Sequence, residues 1–383
     1  MADKNPAKMN LGVGAYRDDA GKPYVLACIR EAERRLLANN ADHEYSGIDG
    51  VPAFRDAALQ LAFSQSPEPL RSKRVAAAQA ISGTGALRIA GDFLGRFGAR
   101  AANGQLDIYV PTPTWGNHIP IFTDAGLTVK YYRYYNAQNC GLDTAGMLAD
   151  LDKAPSGSVV LLHACAHNPT GVDPTPDEWK QVSKLAKSKG HYIVLDLAYQ
   201  GFASGDPERD AVALNQLVAD GHSFMLCQSF AKNFGLYGER AGMWSAVCKS
   251  EEERDRVLSQ MKKLIRPMYS NPPVYGARLV ATVLGDAALA KQWRAEVADM
   301  AGRIIKMRTA LKANLKDAGS KRDWSHVTKQ IGMFAFSGLT PEQVDKLRTE
   351  NSIYMTRDGR ISMAGVTSGN VKTLATAIHN VTK

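Results

Sequence analysis

The run SVVLL at 158–162 puts apolar side chains on both faces of any strand it forms, and nothing else in the chain narrows the fold as much. A strand buried on both faces belongs inside a mainly parallel sheet covered by helices, an α/β architecture. Similar short runs lie at 106–110, 191–196, 223–229 and 242–248, with helical patterns between several of them. PDEWKQVSKLAKSKG at 176–190 is one such helix. Thr175 stands as its N-cap, Pro176 takes the first helical position, acids fill the first turn, and Gly190 ends it. After Gly285 the pattern changes. Leu289, Trp293, Val297, Met300, Ile304, Met307, Leu311 and Leu315 recur at spacings of three and four, which predicts one long helix over 286–318 capped by Asp286. Gly302 inside it costs about 1 kcal/mol relative to alanine and predicts a bend or close packing there. On this reading the helix joins a large domain, 24–299, to a smaller α+β domain built from 1–23 and 300–383.

Composition excludes several function classes. The 383 residues are 45% apolar and 22% charged, as in an ordinary globular protein. No apolar run reaches the roughly 18 residues of a membrane span, so no membrane partner is expected. The net charge of +9 has one tight cluster, RSKR at 71–74, without interleaved aromatics. That argues against nucleic acid and leaves a basic surface able to draw anionic substrates. Five widely spaced cysteines, with no CxxC pair, suit a reducing compartment and give no zinc signature. MADKNPAKMN at the N-terminus has no signal-peptide core, so any targeting peptide is expected to have been removed or never to have existed.

The chemistry gathers around Lys232 in SFAKNFGLYGER, Ser229 to Arg240. A lysine at a strand end, with a hydroxyl three residues before and an arginine eight after, suits an aldehyde cofactor that carries a phosphate. The amine forms a Schiff base once its pKa is lowered, while hydroxyl and guanidinium hold the phosphate. Taken alone, it reads as a solvated loop lysine, and it is the segments elsewhere in the chain that reverse this. ISGTGALRIAG, 81–91, offers the Gly83 and Thr84 amides at a helix start to a phosphate. Arg88 stands where a dinucleotide motif needs its third glycine, and a plain strand–helix turn is the other reading. In HACAHNPTG, Asn168 precedes Pro169 and is held extended, either pointing into a pocket or forming an Asx turn. Asp196 ends the apolar run YIVLDLAYQG. A carboxylate buried there needs a cation, either a protonated heterocycle or a structural Arg or Lys. Tyr199, three residues on, can donate to a phenolate-like oxygen. Arg266 and Arg360 are each a surface arginine or a bidentate carboxylate binder. Trp115 in PTPTWGNH is a face for a planar ring or a core residue.

In order along the chain, SGTGA, PTWGNH, HNPTGVDP, DLAYQGFASGD, SFAKNFGLYGER and RPMYSNPP resemble the aspartate aminotransferases, fold type I enzymes that use pyridoxal 5'-phosphate. The resemblance runs from LGVGAYRDDAGKPYVL to GRISMAGVTSGNV, nearly the whole chain. It implies a seven-stranded, mainly parallel sheet and a ping-pong exchange between L-aspartate and 2-oxoglutarate. It further implies that Lys232 forms the internal aldimine and moves the proton, and that Asp196 pairs with the pyridinium. Tyr199 and Asn168 would bond the ring 3-oxygen. Ser82, Gly83, Thr84, Ser229 and Arg240 would hold the phosphate, and Trp115 would stack on the ring with His118 and His163 behind. Arg360 would take the substrate α-carboxylate near Val13–Gly14. Arg266 would reach the distal carboxylate, and Tyr45 the phosphate, from the second subunit of a homodimer. Phe230 and Phe234 stand where Tyr and Met are expected, and EYSGIDG departs from the expected EYLPIGG; both are expected near the site. Only nine residues precede Asn10, so the arm that grips the other subunit is expected to be short, and Met1 need not be the natural start. The pI near 9.2 and the organelle-like C-terminal half imply a mitochondrial matrix enzyme, with a cytosolic form as the alternative. Aromatic or kynurenine-type amino donors, or a silent binding protein on the same fold, remain the competing functions.

Overall fold

The computed structural model describes residues 3–100 and 104–383; Met1, where the expected smaller domain begins, lies outside them. Seven strands make one sheet: β1 Val75–Ile81, β2 Asp107–Thr112, β3 Thr128–Arg133, β4 Val159–His163, β5 Tyr192–Leu197, β6 Phe224–Ser229 and β7 Ala241–Val247. Their spatial order is β1-β7-β6-β5-β4-β2-β3. The pairs from β6 through β3 are parallel, and β7 alone runs antiparallel to both its neighbours. Every residue of β4 is buried, and alternate residues feed opposite cores. Val160 and Leu162 join one cluster with Ile193 and Leu195, while Val159 and Leu161 join the other with Val194. Each such side chain contributes about 1.5–3 kcal/mol by leaving water. The five strands expected from apolar runs are all present. β1 and β3 escape that reading. VAAAQAI in β1 is mostly alanine, a weak strand former, and β3 is a partly exposed edge.

The helix Pro176–Lys189 has the expected capping box between Thr175 and Glu178, and Gly190 closes it at φ 64°. The long helix runs Ala287–Asp317, with the Asp286 carboxylate accepting from Ala288 N and Leu289 N. Two expectations about it need correction. Met307 is only half-buried, and Arg308 takes the buried place beside it. Its guanidinium, 2% exposed, donates to the carbonyls of Val327, Gly332 and Phe334, which explains how a charge fits the apolar stripe. Nor is Gly302 a site of close packing, since a Cβ there would meet nothing within 4 Å.

Beyond this helix the chain returns to its own beginning. Met9–Asn10 pairs parallel with Ile353–Tyr354, and Phe334–Phe336 pairs antiparallel with Arg360–Ser362. Among the described residues no helix is long and apolar enough to cross a membrane, and the five cysteines form no disulfide.

Candidate active site

Parallel strands end at a common edge, where open α/β sheets offer their crevice. Here β1 runs into Ser82, β4 leads to Asn168, β5 ends beside Asp196 and Tyr199, and β6 ends at Ser229 before Lys232. The antiparallel β7 begins at that same edge, just after Arg240. The result is a cavity of about 320 Å³ lined by these residues together with Gly14, Gly83, Thr84, Trp115, His163, Tyr237, Phe334 and Arg360.

Lys232 is half-buried in the cavity wall, its Nζ 5.2 Å from the centre of the Tyr199 ring. Burial, with the nearby Arg240 charge, lowers its pKa against the opposing pull of Asp196. More of its amine is therefore neutral at a given pH, and the neutral amine is the nucleophile. Burial likewise raises the Tyr199 phenol, aided by Asp196, so Tyr199 remains a hydrogen-bond donor.

Asp196 is buried, and neither lysine nor arginine bonds to it; its partner is His118, Nε2 to Oδ2 at 3.2 Å. Burial pushes its carboxyl up, but the His118 bond and the surrounding positive charge prevail and hold it below the usual range. The proton on His163 follows from one fixed donor. Asn168 N can only donate, and it does so to His163 Nδ1 at 3.4 Å. His163 Nε2 then carries the proton and donates to Thr114 Oγ1 at 3.1 Å. Thr114 Oγ1 also lies 2.8 Å from His118 Nδ1, so the hydroxyl ties His163 to the histidine that meets the carboxylate. Burial drives the His163 pKa down to about 3, with His118 adding to it, so His163 stays neutral. The sequence reading missed Thr114; a hydroxyl two residues after β2 gives no signal on its own.

The opposite end of the cavity suits an anion. The helix Ser82–Phe97 starts there without a side-chain cap; Ser82 N donates to Arg240 O at 3.0 Å, which leaves the next N–H groups, of Gly83 and Thr84, for an anion. Ser82 Oγ and Ser229 Oγ lie 3.2 Å apart. Arg240 donates from Nη1 to Tyr237 O at 2.9 Å and forms no ion pair among the described residues. A Cβ on Gly242 would sit 2.3 Å from the Ser82 carbonyl carbon, so only glycine in β7 lets the helix start approach this closely.

A second cation stands on the side formed by the chain termini. Arg360 donates to Asn168 Oδ1 and to Gly12 O, each at 3.1 Å, and lies 4.2 Å from the Phe334 ring centre. Burial lowers its pKa, opposed by Asp358 and Tyr199; it too forms no ion pair among the described residues. Trp115 is half-buried and turns part of its ring to the cavity. Two expected residues are elsewhere. Tyr45 is 84% exposed and Arg266 is exposed, and neither lines the cavity of its own chain. Their segments meet on the surface, where Asn271 Nδ2 donates to Ser46 O at 2.6 Å. Phe230 and Phe234 also lie away from the cavity. Phe230 packs edge-on against Phe54, and Phe234 stacks 4.8 Å from Trp293.

Known proteins match this arrangement throughout. The mitochondrial aspartate aminotransferase of Dictyostelium discoideum is 58% identical over 381 residues, covering 100% of this chain and 88% of its own length. That of Gallus gallus is 54% identical, covering 100% and 89%. Among solved structures, a mitochondrial aspartate aminotransferase from Trypanosoma brucei superimposes with a TM-score of 0.95 at 46% identity, over 100% of this chain and 98% of its own. An aromatic-amino-acid aminotransferase from Burkholderia pseudomallei, solved covalently bound to pyridoxal phosphate, gives 0.96 at 41% identity over 100% and 94%. The profile of aminotransferase class I and II covers residues 6–378, and this chain belongs to that family.

Proposed function

We propose that this chain exchanges amino groups between L-aspartate and 2-oxoglutarate, giving oxaloacetate and L-glutamate by a ping-pong route with pyridoxal 5'-phosphate. One observation carries the reading: Lys232 stands in a cavity where Arg240 has no anion partner and the buried Asp196 is bonded to no lysine or arginine among the described residues. A phosphate on Ser82, Gly83, Thr84, Ser229 and Arg240, and a ring nitrogen at Asp196, complete both ends. Trp115 is placed to flank the ring, and Tyr199 and Asn168 to bond its oxygen. When bound, the cofactor supplies an aldehyde and an electron-accepting ring.

The chain's own residues do the rest. Lys232 supplies a neutral amine that can attack a carbonyl and carry a proton to or from carbon. Asp196, held ionised by His118, keeps a proton on a heterocyclic nitrogen. Arg360 takes the α-carboxylate beside Gly14, as its fork geometry and missing counterion favour. Arg266 and Tyr45, exposed together, serve the site of a second copy, so the working unit is a homodimer with shared sites. The division into a large domain, 24–299, and a smaller one, 1–23 with 300–383, places the cavity between them. The curated relatives above are mitochondrial by name, which with the basic pI supports a mitochondrial enzyme.

The test is an absorbance titration of the protein loaded with pyridoxal phosphate, followed by aspartate. The expected result is a band that changes with pH and converts to the pyridoxamine form when aspartate is added. A band that ignores aspartate but responds to phenylalanine would replace the substrate, and no band at all would remove the cofactor.

A further inference from the structure

The segment Gly12–Tyr16 meets the cavity at Gly14, bends at Ala15, and is held at three of its residues. Gly12 O accepts from Arg360 Nη2. Gly14 lies so close to Phe334 that a Cβ would come within 3.1 Å of its ring. Tyr16 N donates to the Tyr237 hydroxyl at 2.8 Å. Val13, between two of these anchors, is 42% exposed. Arg303, from the long helix, fixes Tyr16 on its far side. Nε donates to Tyr16 Oη at 2.8 Å, while the two Nη groups reach the carbonyls of Val366 and Ala364 at 2.9 and 2.8 Å.

Two of the three anchors, Arg360 and Phe334, belong to the C-terminal part of the chain; only Tyr237 belongs to the wall that carries Lys232. Its backbone carbonyl also accepts from Arg240, the guanidinium of the anion site. Tyr237 thus touches the anion end of the cavity through its carbonyl and the carboxylate end through its hydroxyl.

We propose that Tyr237 is a positioning residue for the amino-acid substrate: by accepting the Tyr16 N–H, its hydroxyl fixes the Gly12–Tyr16 segment, and with it Gly14 and Arg360, at a set distance from Lys232. This rests on the transaminase reading of the cavity. Without the bond, the segment keeps its contacts with Arg360, Phe334 and Arg303 but loses its hydrogen bond to the wall that carries Lys232. The carboxylate end then loses its register against Lys232, while Lys232, Asp196 and Arg240 stay in place. Substrate affinity falls, and the chemistry at Lys232 does not.

Tyr237→Phe keeps the ring and removes only the acceptor. Three measurements compare it with the wild type as loaded enzyme: hydrogen exchange of the Tyr16 amide, steady-state kinetics with aspartate, and binding of succinate, an unreactive dicarboxylate. Loss of one such bond predicts about fivefold faster exchange, with KM for aspartate and Kd for succinate each about fivefold higher. The value of kcat stays within about twofold, and the pH midpoint of the cofactor band is unmoved. A merely structural loss would lower Tm without changing KM or Kd, and that result overturns the proposal. So does unchanged exchange, or a fall in kcat with a shifted midpoint and constant KM. A wild type that binds succinate but does not transaminate aspartate refutes the proposed function and leaves Tyr237 to be judged on exchange and succinate binding. A wild type that binds no succinate overturns both.

Discussion

The inner wall of the cavity and the surface around Tyr45 and Arg266 are built in opposite ways. On the inner wall, Asp196, His118, Thr114 and His163 are joined in one chain of hydrogen bonds. Tyr45 and Arg266 stand in solvent with no side-chain bond among the described residues. A buried polar group left unpaired costs about 1–3 kcal/mol, so one chain must complete the inner wall by itself. Exposed groups carry no such cost and are free to be completed by a second chain. The contrast separates what one chain supplies from what two supply.

The sharpest way to break it is to damage each region in a separate chain. Lys232→Ala should lower transamination by at least about 10⁴-fold, since it removes both the nucleophile and the proton carrier. Arg266→Ala should reduce activity on aspartate by up to about a thousandfold, with much smaller loss on aromatic donors. If sites are shared, unfolding and refolding the two variants together should restore about a quarter of the wild-type activity, because each mixed dimer holds one intact site. Restoration to nothing more than the sum of the separate variants would show that Arg266 serves its own chain.

Thr114→Val tests the inner wall. It strands His118 Nδ1 and His163 Nε2, and kcat should fall about 10- to 100-fold with KM little changed. An unaffected kcat would mean that Asp196 needs no support from behind.

The smallest expected effect concerns a carboxylate outside the cavity. Asp210 is buried, accepts from Ala203 N and Ser204 N, and is raised to about 6 by that burial. Its folded pKa lies above its unfolded value, so its contribution is greatest at low pH and is lost as pH rises through about 6. Between pH 5 and 7 the wild type should lose about 1 kcal/mol relative to Asp210→Asn in denaturant unfolding. Parallel stability profiles for the two proteins would place the Asp210 carboxyl in ordinary solvation.

The same contrast decides what the sequence made legible. Strands with branched apolar residues on both faces, such as β4 and β5, could be read directly because burial on two sides allows little else. β1 could not, since alanine is a weak strand former and favours helix. Asp196 and Lys232 stood out as charged groups at the ends of apolar runs. Thr114 and Arg308 did not: a lone hydroxyl has no pattern, and an arginine in a helix is ordinarily read as surface. Arg308 owes its place to three carbonyls on a turn that only the folded chain brings there. Tyr45 came from the resemblance alone and Arg266 owes its role to it, since within one chain their side chains form no hydrogen bond or ion pair among the described residues.

One consequence of the sheet order concerns synthesis. β1 has a single neighbour, β7, and the Ser82 and Ser229 hydroxyls that meet at the anion site are separated by 147 residues of chain. Until β7 leaves the ribosome, β1 has no edge to pair with and the helix start at Ser82 has nothing to lean on. The nascent chain therefore carries an open strand while the roughly 160 residues from Ile81 to Ala241 are made, when unpaired edges are most prone to wrong partners. Phosphate capture comes after the sheet closes, so the cofactor can stabilise the finished protein but cannot guide the early steps of its folding.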